Sequence, residues 1–161
     1  MRSPRTHALW TEVNCPHFIS TNTYERKPLF VDTDVAEMLI DEMKFYAVKY
    51  NVLLIAAVVM PDHFHCIIWP QGQKTFSDFM YGVKSYMAKW FSEREVQRGM
   101  VTPPIIIKKI WQDSFFDYVI ESDEKLEEKV WYIIRNPVED GLISEVEVYP
   151  HLLVDSEYDP R

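Results

Sequence analysis

Two histidines, His63 and His65, flank one phenylalanine in the stretch "VVMPDHFHCIIW", which runs from Val58 to Trp69. The whole chain has only five histidines, and these two sit just past a Pro61-Asp62 turn. In a strand, alternate side chains share a face. His63, His65, Ile67 and Trp69 then point one way, and Phe64, Cys66 and Ile68 the other. Imidazoles at i and i+2 stand about 7 Å apart at their α-carbons, close enough to converge on one ion. An isolated H-x-H pair is more often two half-exposed strand histidines. Here the preceding turn opens one face to solvent and to a third ligand, which a metal site requires.

The candidate for that ligand lies in "VWYIIRNPV", from Val130 to Val138. Leu126, Val130, Ile133 and Ile134 form an apolar helical stripe there. At about 100° per residue, Tyr132 falls roughly 120° from the centre of the stripe. Asn136 lies one turn further on the same face. Each residue alone has an ordinary structural reading, as a partly buried helix tyrosine and as a helix-end residue before proline. Together with the histidines they describe a reaction. Two imidazoles and an amide oxygen without thiolate suit Mg²⁺ or Mn²⁺ at a phosphate, with Zn²⁺ or another transition metal left open. The ion polarises a scissile phosphate, and the Tyr132 hydroxyl attacks phosphorus. A free tyrosine, with a pKa of about 10, is a weak nucleophile at pH 7 and needs that polarisation and a proton acceptor. The phosphotyrosine ester retains the bond energy, so a strand is rejoined without a nucleotide cofactor. Gly is scarce, at 4 residues, and neither GxGxxG nor GxxxxGK[ST] occurs.

Periodicity and punctuation give the elements that must hold these residues. "HFISTNTY", His17 to Tyr24, reads as a first strand, broken at Pro28. Asp32 or Thr33 caps a helix to about Tyr50, with Val35, Met38, Leu39, Met43 and Tyr46 on one face. "VLLIAAVV", Val52 to Val59, is a continuous apolar strand, and "HFHCIIW", His63 to Trp69, returns antiparallel to it. Phe76, Phe79, Met80, Val83, Met87, Trp90 and Phe91 mark a second long helix. "IIIKKIWQDSFFDYVI" holds one or two strand segments up to about Ile120. Ser122 caps a third helix, expected to run to about Asn136 and to stop at Pro137. The acidic tail, about 144–161, shows no clear pattern. The order β-α-β-β-α-β-α is that of an α+β, ferredoxin-like split β-α-β fold. It predicts an antiparallel sheet with helices on one face, plus a C-terminal helix carrying the tyrosine.

Length and composition set the outer bounds. The 161 residues, 47% hydrophobic and 14% aromatic, suit one folded domain over 1–161. No apolar run reaches the roughly 18 residues of a membrane helix, and "MRSPRTHALW" lacks a signal-peptide core. A cytoplasmic protein is the default expectation, without membrane contact. Cys15 and Cys66 read as ordinary thiols, since neither belongs to a CxxC. The net charge of −8 argues against broad nucleic-acid binding. Lys74 to Lys109, however, carries seven basic and three acidic residues. The six acids and single Arg from Asp140 to Arg161 reverse that balance. Solvated surface accounts for both stretches, and a local basic strip is the functional alternative.

"MPDHFH" before an apolar strand resembles the HUH motif, two histidines around a hydrophobic residue. "WQDSFFDYVI", "YIIRNPV" and "GLI", in that order, resemble the single-tyrosine HUH transposases, and "NTYERKPLF" is similar to the start of their REP-associated group. The likeness covers about His17 to Ile143, and the ordered set is far more specific than the two histidines alone. It implies a domain that binds single-stranded DNA, often near a hairpin. It also implies cleavage that leaves a 5′ phosphate on a tyrosine and a free 3′ hydroxyl. Carried over, His63 and His65 match the metal ligands, Tyr132 the nucleophile and Asn136 the third ligand. Tyr86 and Tyr118 are followed four residues on by Trp90 and Ser122, so neither matches the tyrosine–amide pair. Asp62 stands where many members carry Asn, a change that a turn tolerates. The overall acidity and the tail after Gly141 depart from the family.

For DNA contact the chain offers Lys84, Lys89, Arg94, Arg98, Lys108 and Lys109, of which the first four do not fall on one helical stripe. Tyr81, Tyr86 and Trp131 serve either as base-stacking rings or as core. Two other readings compete with cleavage. One is a hairpin DNA- or RNA-binding module that keeps the fold without cutting. The other is a metal hydrolase that passes a phosphate or acyl group to water. The resemblance leaves open a monomer acting in cis and a homodimer in which Tyr132 faces the histidines of a second copy.

Overall fold

A computed structural model describes residues 15–102, 109–145 and 149–161. The elements follow one another as β1 (His17–Asn22), α1 (Thr33–Tyr50), β2 (Val52–Met60), β3 (His63–Pro70), α2 (Phe76–Gln97), β4 (Phe116–Val119), α3 (Asp123–Glu139) and β5 (Leu152–Val154). The strands form one antiparallel sheet in the order β4-β1-β3-β2-β5. Its first four strands have the order that a split β-α-β fold requires.

Local chemistry sets the helix ends. The Asp32 carboxylate accepts from the Asp34 amide at the start of α1, which ends at Asn51 in a left-handed conformation. Thr75 and Asp78 form a reciprocal capping box on α2, and the Ser122 hydroxyl accepts from the Lys125 amide on α3. α1 and α2 pack together closely enough that a Cβ at Gly82 would stand 2.5 Å from the Tyr46 ring. That ring is itself wedged between Phe45 and Tyr50, at centroid distances of 5.3 and 5.2 Å. Overpacking costs about 1–3 kcal/mol, more than the helix gain of at most about 1 kcal/mol from replacing glycine. Gly82→Ala is therefore expected to lower stability in urea unfolding, opposite to the usual effect of that change in a helix.

The sheet separates two apolar layers. Ile19, Ala57, Val59, Phe64, Cys66 and Ile68 pack with α1 and α2 on one face. Phe18, Ile55, Val58, Met60, Ile67 and Trp69 pack with Leu126, Val130, Ile133 and Ile134 of α3 on the other. The paired helices thus share one face, and the helix that carries the tyrosine has the opposite face to itself. β2, like β3, serves both layers by alternation, but its register on β3 shifts between Leu54 and Ala56. The extra residue, Ile55, reverses the alternation, so that Ala56, Val58 and Met60 join Ile55 on the α3 side.

Two expectations need correction. α3 does not stop at Asn136 but runs through Pro137 to Glu139. Proline removes one amide donor, that for the Ile133 carbonyl. The helix then ends within a turn, where Asp140, Gly141 and Leu142 donate to Asn136, Val138 and Pro137. The tail is also not patternless. Tyr149 donates its hydroxyl to the Val59 carbonyl at 2.6 Å, and β5 adds a fifth strand on β2. Tyr149, Leu152, Val154 and Tyr158 extend the apolar layer beneath α3. Among the described residues, no helix is long and apolar enough to cross a membrane.

Candidate functional site

Strand alternation places the two histidines as the sequence predicts. His63 and His65 face the α3 side, while Phe64, fully buried between them, faces α1 and α2. Their cross-strand neighbours on β1 are Asn22 and Ser20, so a polar patch interrupts an otherwise apolar face. The His63 and His65 ring centroids lie 5.0 Å apart. The Tyr132 ring on α3 stands 5.3 Å from His65, edge to face, and 5.6 Å from Phe18. Residues far apart in sequence thus meet above one strand. Tyr132 keeps 41% of its surface exposed, whereas both histidines and Asn136 are buried.

His63 is held by its neighbour in sequence. Asp62 Oδ1 lies 2.6 Å from His63 Nδ1, and Asp62 Oδ2 lies 3.0 Å from Arg26 Nε. Glu25 and Arg26 both have φ of 55°, a left-handed conformation that costs a residue with a side chain free energy. The Thr23 hydroxyl and amide both donate to the Asp62 carbonyl at 2.9 Å and fix the turn from the other side. Arg26, Pro28, Pro61, Asp62, His63, Asp140 and Leu142 line a cleft of about 410 Å³ that opens to solvent beside His63. Sequence reasoning treated Asp62 as a turn residue and missed its hold on the histidine. Adjacency to His63 was the available signal. Arg26 offered no such signal.

The electrostatics suit a ligand rather than a proton carrier. Burial, then His63 and Arg26, pushes the His65 pKa down to about 3, so its imidazole is neutral. His65 Nδ1 and Asn136 Oδ1 are buried without a hydrogen-bond partner. Such atoms are costly unless something binds them. A divalent ion fits this donor set of two imidazoles and an amide oxygen, with the Asp62 contact orienting one ring. No group of three or more His, Cys, Asp or Glu side chains gathers as a metal set among the described residues. Burial, then Asp140 and Glu139, raises the Tyr132 phenol above its ordinary range. Tyr132 therefore needs help to act as a nucleophile.

The cations named from sequence that lie among the described residues are not brought to this site. α2 carries Lys84, Lys89 and Arg94, and is capped at its C-terminus by Arg98, on the far side of the sheet. Arg94 binds Asp32 at 2.8 Å and Asp34 at 3.3 Å, and Arg98 binds Asp32 at 3.2 Å. These ion pairs join α2 to the start of α1. Lys84 is half-buried against Trp111 and Phe115 and donates to the Gln112 carbonyl. Lys89 lies 3.9 Å from Glu93, and Lys109 lies 2.8 Å from Asp113 and over the Tyr24 ring. Lys108 lies outside the described residues. Tyr81 and Tyr86 are exposed on α2, while Trp131 packs partly into the α3 layer beneath Arg135.

A small antiparallel sheet with two strand histidines and a helix-borne tyrosine on one face defines the class of protein. The chain belongs to the IS200-like transposases, a family of enzymes, matching the family over residues 13–136. It is 33% identical over 97 residues to a REP-associated tyrosine transposase of Escherichia coli K12, covering 59% of this chain and 50% of that protein. A second curated relative, from Haemophilus influenzae, is 24% identical over 63% of this chain and 58% of its own length. The chain thus spans about half the length of the curated relatives it matches. Its fold is that of a REP-associated tyrosine transposase solved bound to a REP hairpin, with a TM-score of 0.68 at 24% identity. That match covers 94% of this chain and 82% of the other.

Proposed function

We propose that the chain cleaves and rejoins single-stranded DNA at hairpin-flanked, REP-like sites through a 5′-phosphotyrosine intermediate that depends on a divalent metal. The observation that carries this reading is the meeting of Tyr132 with His65 at 5.3 Å, one helical turn from the unpartnered amide oxygen of Asn136. Family membership and a relative whose solved structure holds a REP hairpin support the DNA substrate.

In this mechanism His63, His65 and Asn136 would hold Mg²⁺ or Mn²⁺, which when bound supplies Lewis-acid polarisation of the scissile phosphate. Asp62 keeps the His63 ring oriented, and burial keeps His65 unprotonated. The Tyr132 oxygen attacks phosphorus, its proton leaves to a base or to water, and the departing 3′ oxygen takes up a proton. The reverse attack by a 3′ hydroxyl releases Tyr132 and restores a phosphodiester. Bonds made and broken are alike in kind, so no nucleotide triphosphate is consumed.

Incubation with a hairpin-flanked single strand and Mn²⁺ or Mg²⁺ is expected to give a denaturation-resistant adduct. Chelation, or His63→Ala or His65→Ala, is expected to reduce the adduct to background. Full adduct formation by either variant in chelated buffer would sink the metal site.

A further inference from the structure

The α3 side of β4 continues the surface on which His65 and Tyr132 stand. In the β1–β4 register Phe116 faces Ser20 and Tyr118 faces Phe18, and Ser20 in turn faces His65 on β3. Phe116 and Tyr118 therefore share the face of the histidines, in neighbouring rows that lead to the sheet edge. Both rings are exposed, Phe116 to 59%. Lys129, one turn before Tyr132 on α3, places its ammonium 5.0 Å from the Tyr118 ring centroid, 5.2 Å from Phe18 and 5.8 Å from Tyr132.

This ammonium has no carboxylate partner among the described residues. Glu128 is taken by Lys125 at 2.8 Å, and Asp117 by His17 at 2.8 Å on the opposite face. Those cations named from sequence that are described lie elsewhere or are paired, whereas Lys129 stands 5.8 Å from the Tyr132 ring centroid and is open to a phosphate. Cation and rings here match the composition of single-strand binding grooves, where bases stack on aromatic faces and the backbone meets a positive charge. Packing alone would bury the rings, and these remain open.

We propose that Lys129, Phe116 and Tyr118 form a subsite for single-stranded nucleic acid, holding the nucleotides next to the phosphate that Tyr132 attacks. Lys129 meets a backbone phosphate, and the β4 rings stack on adjacent bases. The placement beside a reacting phosphate rests on the cleavage reading. The binding itself does not.

The test is fluorescence anisotropy without metal, using a labelled oligothymidylate and a blunt hairpin with no single-stranded tail. Lys129→Ala and Phe116→Ala are each expected to weaken oligothymidylate binding by about tenfold, with hairpin affinity unchanged. Lys129→Arg is expected to retain binding. Lys129→Ala is also expected to reduce the salt slope by about 0.7, the loss of one phosphate contact on a single strand. Both truncated positions are solvent-accessible, so unchanged thermal melting serves as the folding control. Unaltered oligothymidylate affinity in both truncations overturns the subsite, as does failure of the original protein to bind it. Adduct formation with normal binding by both truncations sinks the subsite alone. Weakened binding in the variants without any adduct from the original protein sinks the cleavage reading alone.

Discussion

Tyr132→Phe is expected to abolish the covalent DNA–protein adduct while hairpin binding is retained. The change removes one oxygen and leaves the ring against His65 and Phe18. Because the side chain is substantially exposed, the fold loses little. Removal of an enzyme nucleophile costs on the order of 10⁴-fold or more in rate, so adduct formation should fall below detection on a denaturing gel. The result that overturns the assignment is an adduct of normal yield from the Phe variant. Peptide mapping would then be directed first at Tyr118, which shares the α3 face and the Lys129 contact. Tyr86 lies on α2, beyond the sheet.

Phe64→Ala is expected to cost about 3–5 kcal/mol, the range for removing a buried aromatic ring. Phe64 is fully buried, and its ring meets Trp111 edge to face at 5.7 Å in the α1–α2 layer. For a domain with a typical stability of about 5–15 kcal/mol, that loss removes much of the margin and shifts the urea midpoint sharply. His65→Ala, one residue away on the other face, also leaves a small void, but it relieves an unpartnered buried nitrogen. It should therefore cost distinctly less stability. A smaller effect for Phe64→Ala than for His65→Ala in urea unfolding would contradict the two-faced reading of β3.

The features legible in the sequence were those set by local chemistry. Alternation put His63 and His65 on one face, and Asp32 and Ser122 marked helix starts that the structure keeps. Helical spacing set Tyr132 apart from the buried stripe. What escaped was decided by distant partners. Arg94 and Arg98 read as cations free for DNA, but Asp32 and Asp34 neutralise them from another helix. β5 is three residues long and exists because the edge of β2 accepts it. Pro137 looked like a stop, yet a proline near a helix end forfeits only one bond. Arg26 acquires its role by reaching across to Asp62, a contact that no spacing announces.

The irregularity at Ile55 sets a rule of length. The halves of β2 on either side of it are read in opposite frames against β3. Deletion of Ile55 alone would join the frames and leave Leu53 and Leu54 in their present layers, because Leu54 and Ala56 already pair with the consecutive residues Ile68 and Ile67. An extra residue beyond it would turn Val58 and Met60 away from α3. The strand that backs the histidines therefore tolerates the loss of one residue at Ile55 alone, and elsewhere any change in count has to fall in the loops.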